Sequence, residues 1–170
     1  MLSTNFRIKV FAIAMTAGAA GVAVPVPAAA TPILRVFCDI NSTAITVSKT
    51  AQTTTSTSYV DVADSGITFK QGGTKNSCVI VSLSSEASAA ANTTMEVQAV
   101  IDKGAIICQP GPGNFFVTSN ATATGLADRA MNYVCNGVAP GGHVAKLQFL
   151  SSNGGSVELD YRTVIVHYLK

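Results

Sequence analysis

Apolar and polar residues alternate with period two along much of this chain, the pattern of strands with one dry and one wet side. The clearest case lies in the last third. From Val144 to Leu150, Leu147 and Phe149 fall on one side and Lys146 and Gln148 on the other, and Val157 to Tyr168 alternates again. Between these arms, Ser151-Ser152-Asn153-Gly154-Gly155-Ser156 supplies glycines for a chain reversal, so the pattern predicts a β-hairpin. In the second arm the apolar phase changes, odd at Val157, Leu159 and Tyr161 but even at Val164, Val166 and Tyr168. A period-two strand changes faces only through an extra residue or a bend, which predicts a bulge or kink at Arg162-Thr163.

The upstream chain reads in the same way. Ile33 to Ile40 and Thr43 to Ser48 are short strand candidates, and Thr50 to Ser58, nearly all Thr, Ser, Ala and Gln, reads as a poorly ordered linker or a Thr-rich edge strand. The sandwich proper is expected from Tyr59, residues 31–58 forming an N-terminal strand segment and linker. Ile67-Thr68-Phe69 follows the Asp64-Ser65-Gly66 turn, and Cys78 to Ser84 reads as a buried strand. Ser85 to Thr94 contains an Ala-rich piece too short for an independent helix and is expected to be a loop. Met95 to Ile101 alternates with Val97, Ala99 and Ile101 on one face. Asp102-Lys103-Gly104 turns it back into Ala105 to Cys108, and Asp128 to Cys135 returns as a strand after a polar connection. About ten short strands without a long helix predict an all-β antiparallel β-sandwich or jelly roll.

Composition adds an address. Arg7 and Lys9, the apolar run Val10 to Val24 and Ala28-Ala29-Ala30 form the pattern of an export signal over residues 1–30, cut after Ala30. Without it the chain carries nine basic and nine acidic residues, so no basic surface points to nucleic acid. No later apolar stretch is long enough to span a bilayer, which leaves no membrane span in the mature chain. A secreted or periplasmic location follows. In that setting the four cysteines favour disulfides, for which three pairings exist. The reading favours Cys108–Cys135, tying the middle strands together, with Cys38–Cys78 holding the N-terminal segment. One pair remaining reduced is the alternative. No CxxC spacing suggests zinc.

The chemistry is sparse. Gln109-Pro110-Gly111-Pro112-Gly113-Asn114 is Gly-rich, but Phe115-Phe116-Val117 follows where a phosphate loop needs a helix, a lysine and a hydroxyl. His143 and His167 are the only histidines, one opening a strand and the other facing solvent, and no acid and nucleophile accompany them in a triad pattern. Glu158 and Asp160 share a strand face about 7 Å apart, yet with Arg162 alongside they read as solvated charges. Asp61 and Asp64 are too few for a calcium loop. Tyr133, Tyr161 and Tyr168 fall on apolar faces and Trp is absent, which weakens an aromatic sugar platform. The sequence assigns no catalytic residue, cofactor or metal ligand.

Two segments carry a resemblance. SGITFKQGGTKNSCVIVSLSSEA (Ser65 to Ala87), and GVAPGGHVAKLQF with NGGSVELDYRTVIVHY, resemble parts of small exported bacterial β-sandwich proteins of uncharacterised role. The Ala-Pro-Gly-Gly-His turn feeding a strand is similar to turns in tumour-necrosis-factor-like jelly rolls. The resemblance implies an all-β fold outside the cytoplasm and carries no catalytic residue. The expected role is non-catalytic, either structural or in recognition. Carbohydrate or small-ligand binding is the main alternative, with a pilin-like subunit or small hydrolase behind it. A homo-oligomer or a surface glycan is the expected kind of partner.

Overall fold

The computed structural model describes residues 38–170. The expected export signal and most of the Ile33 to Ile40 strand candidate lie outside them. Eleven strands run in order: β1 (Ser42–Ser48), β2 (Gln52–Thr54), β3 (Val60–Asp61), β4 (Ile67–Gln71), β5 (Ser77–Ala89), β6 (Thr94–Ile101), β7 (Ile106–Ile107), β8 (Phe115–Thr118), β9 (Ala127–Val138), β10 (Gly141–Ser151) and β11 (Val157–Tyr168). They form two antiparallel sheets. In the first, β1 and β2 share one edge of β11, followed by β5 and β9. In the second, β3 and β4 share one edge of β10, followed by β6, which β7 and β8 flank. The sheets bury their facing sides against each other, with Val81, Leu83 and Val166 of the first meeting Val97, Leu147 and Phe149 of the second in one core. The fold is an all-β sandwich.

The long strands follow from continuous alternation plus partners on both edges. In β10, Ala145, Leu147 and Phe149 are buried, while Lys146 and Gln148 turn outward. The two alternating arms at the C-terminal end do not pair with each other, however. β10 pairs with β6, β3 and β4, whereas β11 lies in the other sheet between β5 and the edge strands. The expected hairpin is therefore a crossover between sheets, its reversal wedged against the β5–β6 turn so closely that a Cβ on Gly155 would collide with the Thr93 hydroxyl.

Two other expectations change. β5 does not stop at Ser84 but runs to Ala89, because Ser85, Ala87 and Ala89 continue its buried phase and both neighbours supply backbone partners. Small side chains suit that closely packed position better than a loop. Of the two readings of the Thr-rich 50–58 stretch, the edge strand is the one present: β2 pairs with Val157 to Leu159 through its backbone and needs little burial of its own. Its Gln52 amide donates to the Asp61 carbonyl at 3.1 Å, and the Ala63 amide donates back to Gln52 Oε1 at 2.6 Å. Residues of the 31–58 segment thus supply edge strands to the first sheet, where the sequence placed the sandwich boundary at Tyr59.

The phase change in β11 is a bulge, the register against β5 slipping between Asp160 and Thr163. It falls at Tyr161-Arg162, where Tyr161 takes a φ of +40°, a region a bulky residue occupies only under strain. Tyr161 was expected on the apolar face and is instead 57% exposed. Arg162 was expected beside solvated acids and is instead 2% exposed. Its Nη1 donates to the Leu159 carbonyl at 2.8 Å and its Nη2 to Ser48 Oγ at 3.2 Å and the Ala63 carbonyl at 3.4 Å. Burial lowers the guanidinium pKa, against the pull of Asp64 and Asp160.

Two bridges close the described chain, Cys38–Cys78 and Cys108–Cys135. The second joins the segment after β7 to β9 and so links the two sheets, next to the backbone pairing of Gln109 with Val134. Tyr133 crosses the same interior, its hydroxyl donating to the Val97 carbonyl at 3.0 Å; burial pushes this phenol pKa upward. Paired cysteines of this kind persist in oxidising surroundings. No helix among the described residues is long and apolar enough to cross a membrane.

Candidate functional site

The outer face of the second sheet carries a row of polar side chains held to one another by hydrogen bonds. Alternation turns Glu96 and Gln98 of β6, and Lys146 and Gln148 of β10, away from the core, and β3 adds Asp61 opposite Gln148. Antiparallel pairing places these groups side by side, where they hold one another. Lys146 Nζ donates to Asp61 Oδ2 at 2.8 Å, and Gln148 Nε2 donates to Asp61 Oδ1 at 2.9 Å. Gln98 Nε2 in turn donates to Gln148 Oε1 at 2.8 Å. The hydrogen bonds from Lys146 and then Gln148 lower the Asp61 pKa, so the row keeps its carboxylate charged at neutral pH.

Aromatic rings flank one end of this row. Tyr59 donates its hydroxyl to Glu96 Oε2 at 2.9 Å, and the Gly113 amide donates to the same oxygen at 3.0 Å. Burial, then the Glu96 carboxylate, raises the Tyr59 pKa to about 12. Beside Glu96 on β8 stands Phe115, 64% exposed, while Phe116 and Val117 turn inward. A register slip between Met95 and Glu96 lets three successive apolar residues divide between the two sides. The sequence held the clue that one of three adjacent apolar residues must face out, but not which.

At the other end the structure brings together Asp102 and His143, forty-one positions apart. His143 Nδ1 lies 2.6 Å from Asp102 Oδ2, and its Nε2 lies 2.8 Å from the Ala139 carbonyl. Both partners only accept, so both ring nitrogens carry hydrogens and the imidazole is positively charged in this arrangement. Partial burial acts to lower the His143 pKa, but the bonds to Asp102 and Ala139 outweigh it and the net shift is upward. Asp102 is held low by His143 first and by the Val144 amide second. With both nitrogens occupied, His143 has no lone pair for general-base chemistry; the pair braces the turn before β10 against the turn after β6. A hollow of about 300 Å³ opens beside it, lined by Asp102, Lys103, Val144 and Lys146.

The other candidate residues are spread out. Glu158 and Asp160 lie on the first sheet, where Asp160 continues across the strands to Glu86 and Asp128 in one row. Among the described residues no group of three or more His, Cys, Asp or Glu side chains is arranged to hold a metal ion. His167 meets Thr43 Oγ1 at 3.2 Å across the β1–β11 pair, and Asp64 lies by Ser48, apart from the Asp61 row. Phe69 stacks obliquely between His143 and Tyr168, with ring centroids 5.6 and 5.3 Å away. No family model matches the chain, and no curated protein matches it.

Proposed function

We propose that this chain is an exported bacterial protein with a non-catalytic recognition role outside the cytoplasm, and that the outer face of its second sheet binds a carbohydrate or a similarly polyhydroxylated ligand. One observation carries the reading: an exposed ring, Phe115, stands beside Glu96 on the face that carries the fixed row Gln148–Asp61–Lys146, which the buried Gln98 anchors from below. Sugars present an apolar C–H face and a rim of hydroxyls. A ring serves the face, and planar carboxylate and amide groups with spare acceptor capacity serve the rim. Because those groups are held by mutual hydrogen bonds, little side-chain freedom is lost on binding. The hollow beside Val144 extends the same face.

The strand order supports the jelly-roll form of the sandwich. With β1 and β2, β3 and β4, and β7 and β8 each taken as one interrupted strand, every connection between successive strands crosses from one sheet to the other except that from β6 to β7, which turns back within the second sheet. That is the winding of two Greek keys. The two bridges support the export reading.

The test is a nuclear magnetic resonance titration of the oxidised chain with a panel of mono- and oligosaccharides. Shifts clustered on Glu96, Asp61, Gln148 and the Phe115 ring are expected. Phe115→Ala should weaken binding about tenfold, the scale of one aromatic contact, with an unchanged melting temperature. A panel that moves no resonance on this face at tens of millimolar would falsify the proposal.

A further inference from the structure

We infer that β1 is a self-association edge on which a second copy of this chain adds its own β1, antiparallel, joining the two first sheets into one. This goes beyond the ligand reading, which concerns the other sheet. Among the described residues β1 has one strand neighbour, β11, and ends the first sheet. Its seven residues, STAITVS, contain no charge, proline or glycine. Sheet edges are ordinarily guarded by such residues, because an open row of backbone donors and acceptors is a template for another strand. Here the guard is missing, and the outward side chains Ile45 and Val47 are each 61% exposed. Inward Ala44 packs against the core, which holds the strand in place for a partner.

Charge identifies the partner and the register. Asp39 and Lys49 are both exposed and stand symmetrically about Ala44, five positions to either side. An antiparallel pair centred on Ala44 sets Thr43 opposite Ile45 of the second copy and Asn41 opposite Val47. At each end it sets Asp39 of one copy opposite Lys49 of the other. Opposite charges directly across a strand pair stabilise it and like charges oppose it. The contact is isologous, so one patch serves both copies and the assembly closes at two. The strip is short, which places the dimer among the weak interfaces, with a dissociation constant on the order of 10 µM.

Light scattering of the oxidised chain across a concentration series tests this. A reversible monomer–dimer equilibrium is expected in the micromolar range. Asp39→Lys alone, or Lys49→Asp alone, sets like charges together at both ends and should weaken the dimer at least about tenfold. An equimolar mixture of those two variants should restore it as a mixed dimer, as should the double exchange within one chain. Circular dichroism checks that each variant folds. Combining Thr43→Lys with Ile45→Lys, which sets ammonium groups opposite each other twice, should leave monomer throughout. A monomer at every concentration overturns the proposal and assigns the edge to the segment preceding Cys38 or to a different protein. A dimer indifferent to the charge reversals, or one weakened by them and not restored by mixing, overturns it equally.

Discussion

The two outward faces of the sandwich are built on similar strands but differ in chemistry. The second sheet's face is cross-linked, Asp61 to Lys146 and Gln148, Gln148 to Gln98, and Glu96 to Tyr59 and Gly113. Around β1, the first sheet's face sets Ile45 beside Ile165 and Val47 beside Thr163, with the Thr43–His167 contact its main polar feature. Both sheets fill the same core, so the demands of folding do not explain the contrast. A side chain that faces water is free to serve a ligand or a partner, and the two faces have taken different uses of that freedom.

The largest test strikes what the two faces share. Replacing Cys108 and Cys135 by Ser removes the link between the sheets, a 27-residue separation in sequence, and should cost about 3–4 kcal/mol. Denaturant unfolding measures it, and a loss below about 1 kcal/mol would mean that packing alone joins the sheets. Next comes a change centred on the first sheet. Arg162→Ala strands the Leu159 and Ala63 carbonyls and opens a cavity, for about 2–4 kcal/mol. Amide exchange should then quicken in β1, β2 and β11 while β6 and β10 keep their protection; an equal rise in both sheets would break the comparison.

Smaller effects separate the faces themselves. Asp61→Ala and Lys146→Ala should each cost only about 0.2–1 kcal/mol, since both side chains are at least a third exposed. A double-mutant cycle should show coupling that shrinks in high salt. Ile45→Thr on the other face should stay within about 0.5 kcal/mol at monomeric concentrations. The smallest effect is that of pH on the Asp102–His143 brace. The folded pKa of His143 is raised, so its stabilisation is complete below its unfolded value of ~6.5 and is lost as pH rises through the folded value. The folded pKa of Asp102 is lowered, so its share is present above ~3.9 and is lost as pH falls through the folded value. The brace should therefore contribute most between about pH 4 and 6.5. His143→Gln should flatten that part of the stability profile, and an unchanged profile would deny the pair any role.

Period-two alternation made the faces of β6 and β10 legible, and the phase change in β11 announced its bulge. Alternation reports which side of a strand is dry, not which strand lies next to it. For that reason the glycine-rich Ser151 to Ser156 segment read as a hairpin, although the partners of β10 and β11 lie elsewhere in the chain. Arg162 escaped because a charged residue reads as wet unless its acceptors are known, and these come from β1, from the turn after β3 and from its own strand. Phe115 escaped because alternation does not say which of the adjacent Phe115, Phe116 and Val117 faces out across a register slip. The Asp102–His143 contact has no local signature, since only the pairing of β6 with β10 brings the two turns together.

The bridge at the start of β5 also sets how this molecule bears tension. Cys38 lies upstream of β1, and a pull on the chain before it passes through the bridge to Cys78 and bypasses β1. The load then falls on β5 against β11, whose register sets Ile80 opposite His167, so Cys78 and the C-terminal Lys170 sit at the same end of that antiparallel pair. Strands pulled apart from one shared end open one hydrogen bond at a time, like a zip. Stretched between its ends, the oxidised sandwich should therefore yield at low force, and reducing the bridge should first shift the peeling to β1.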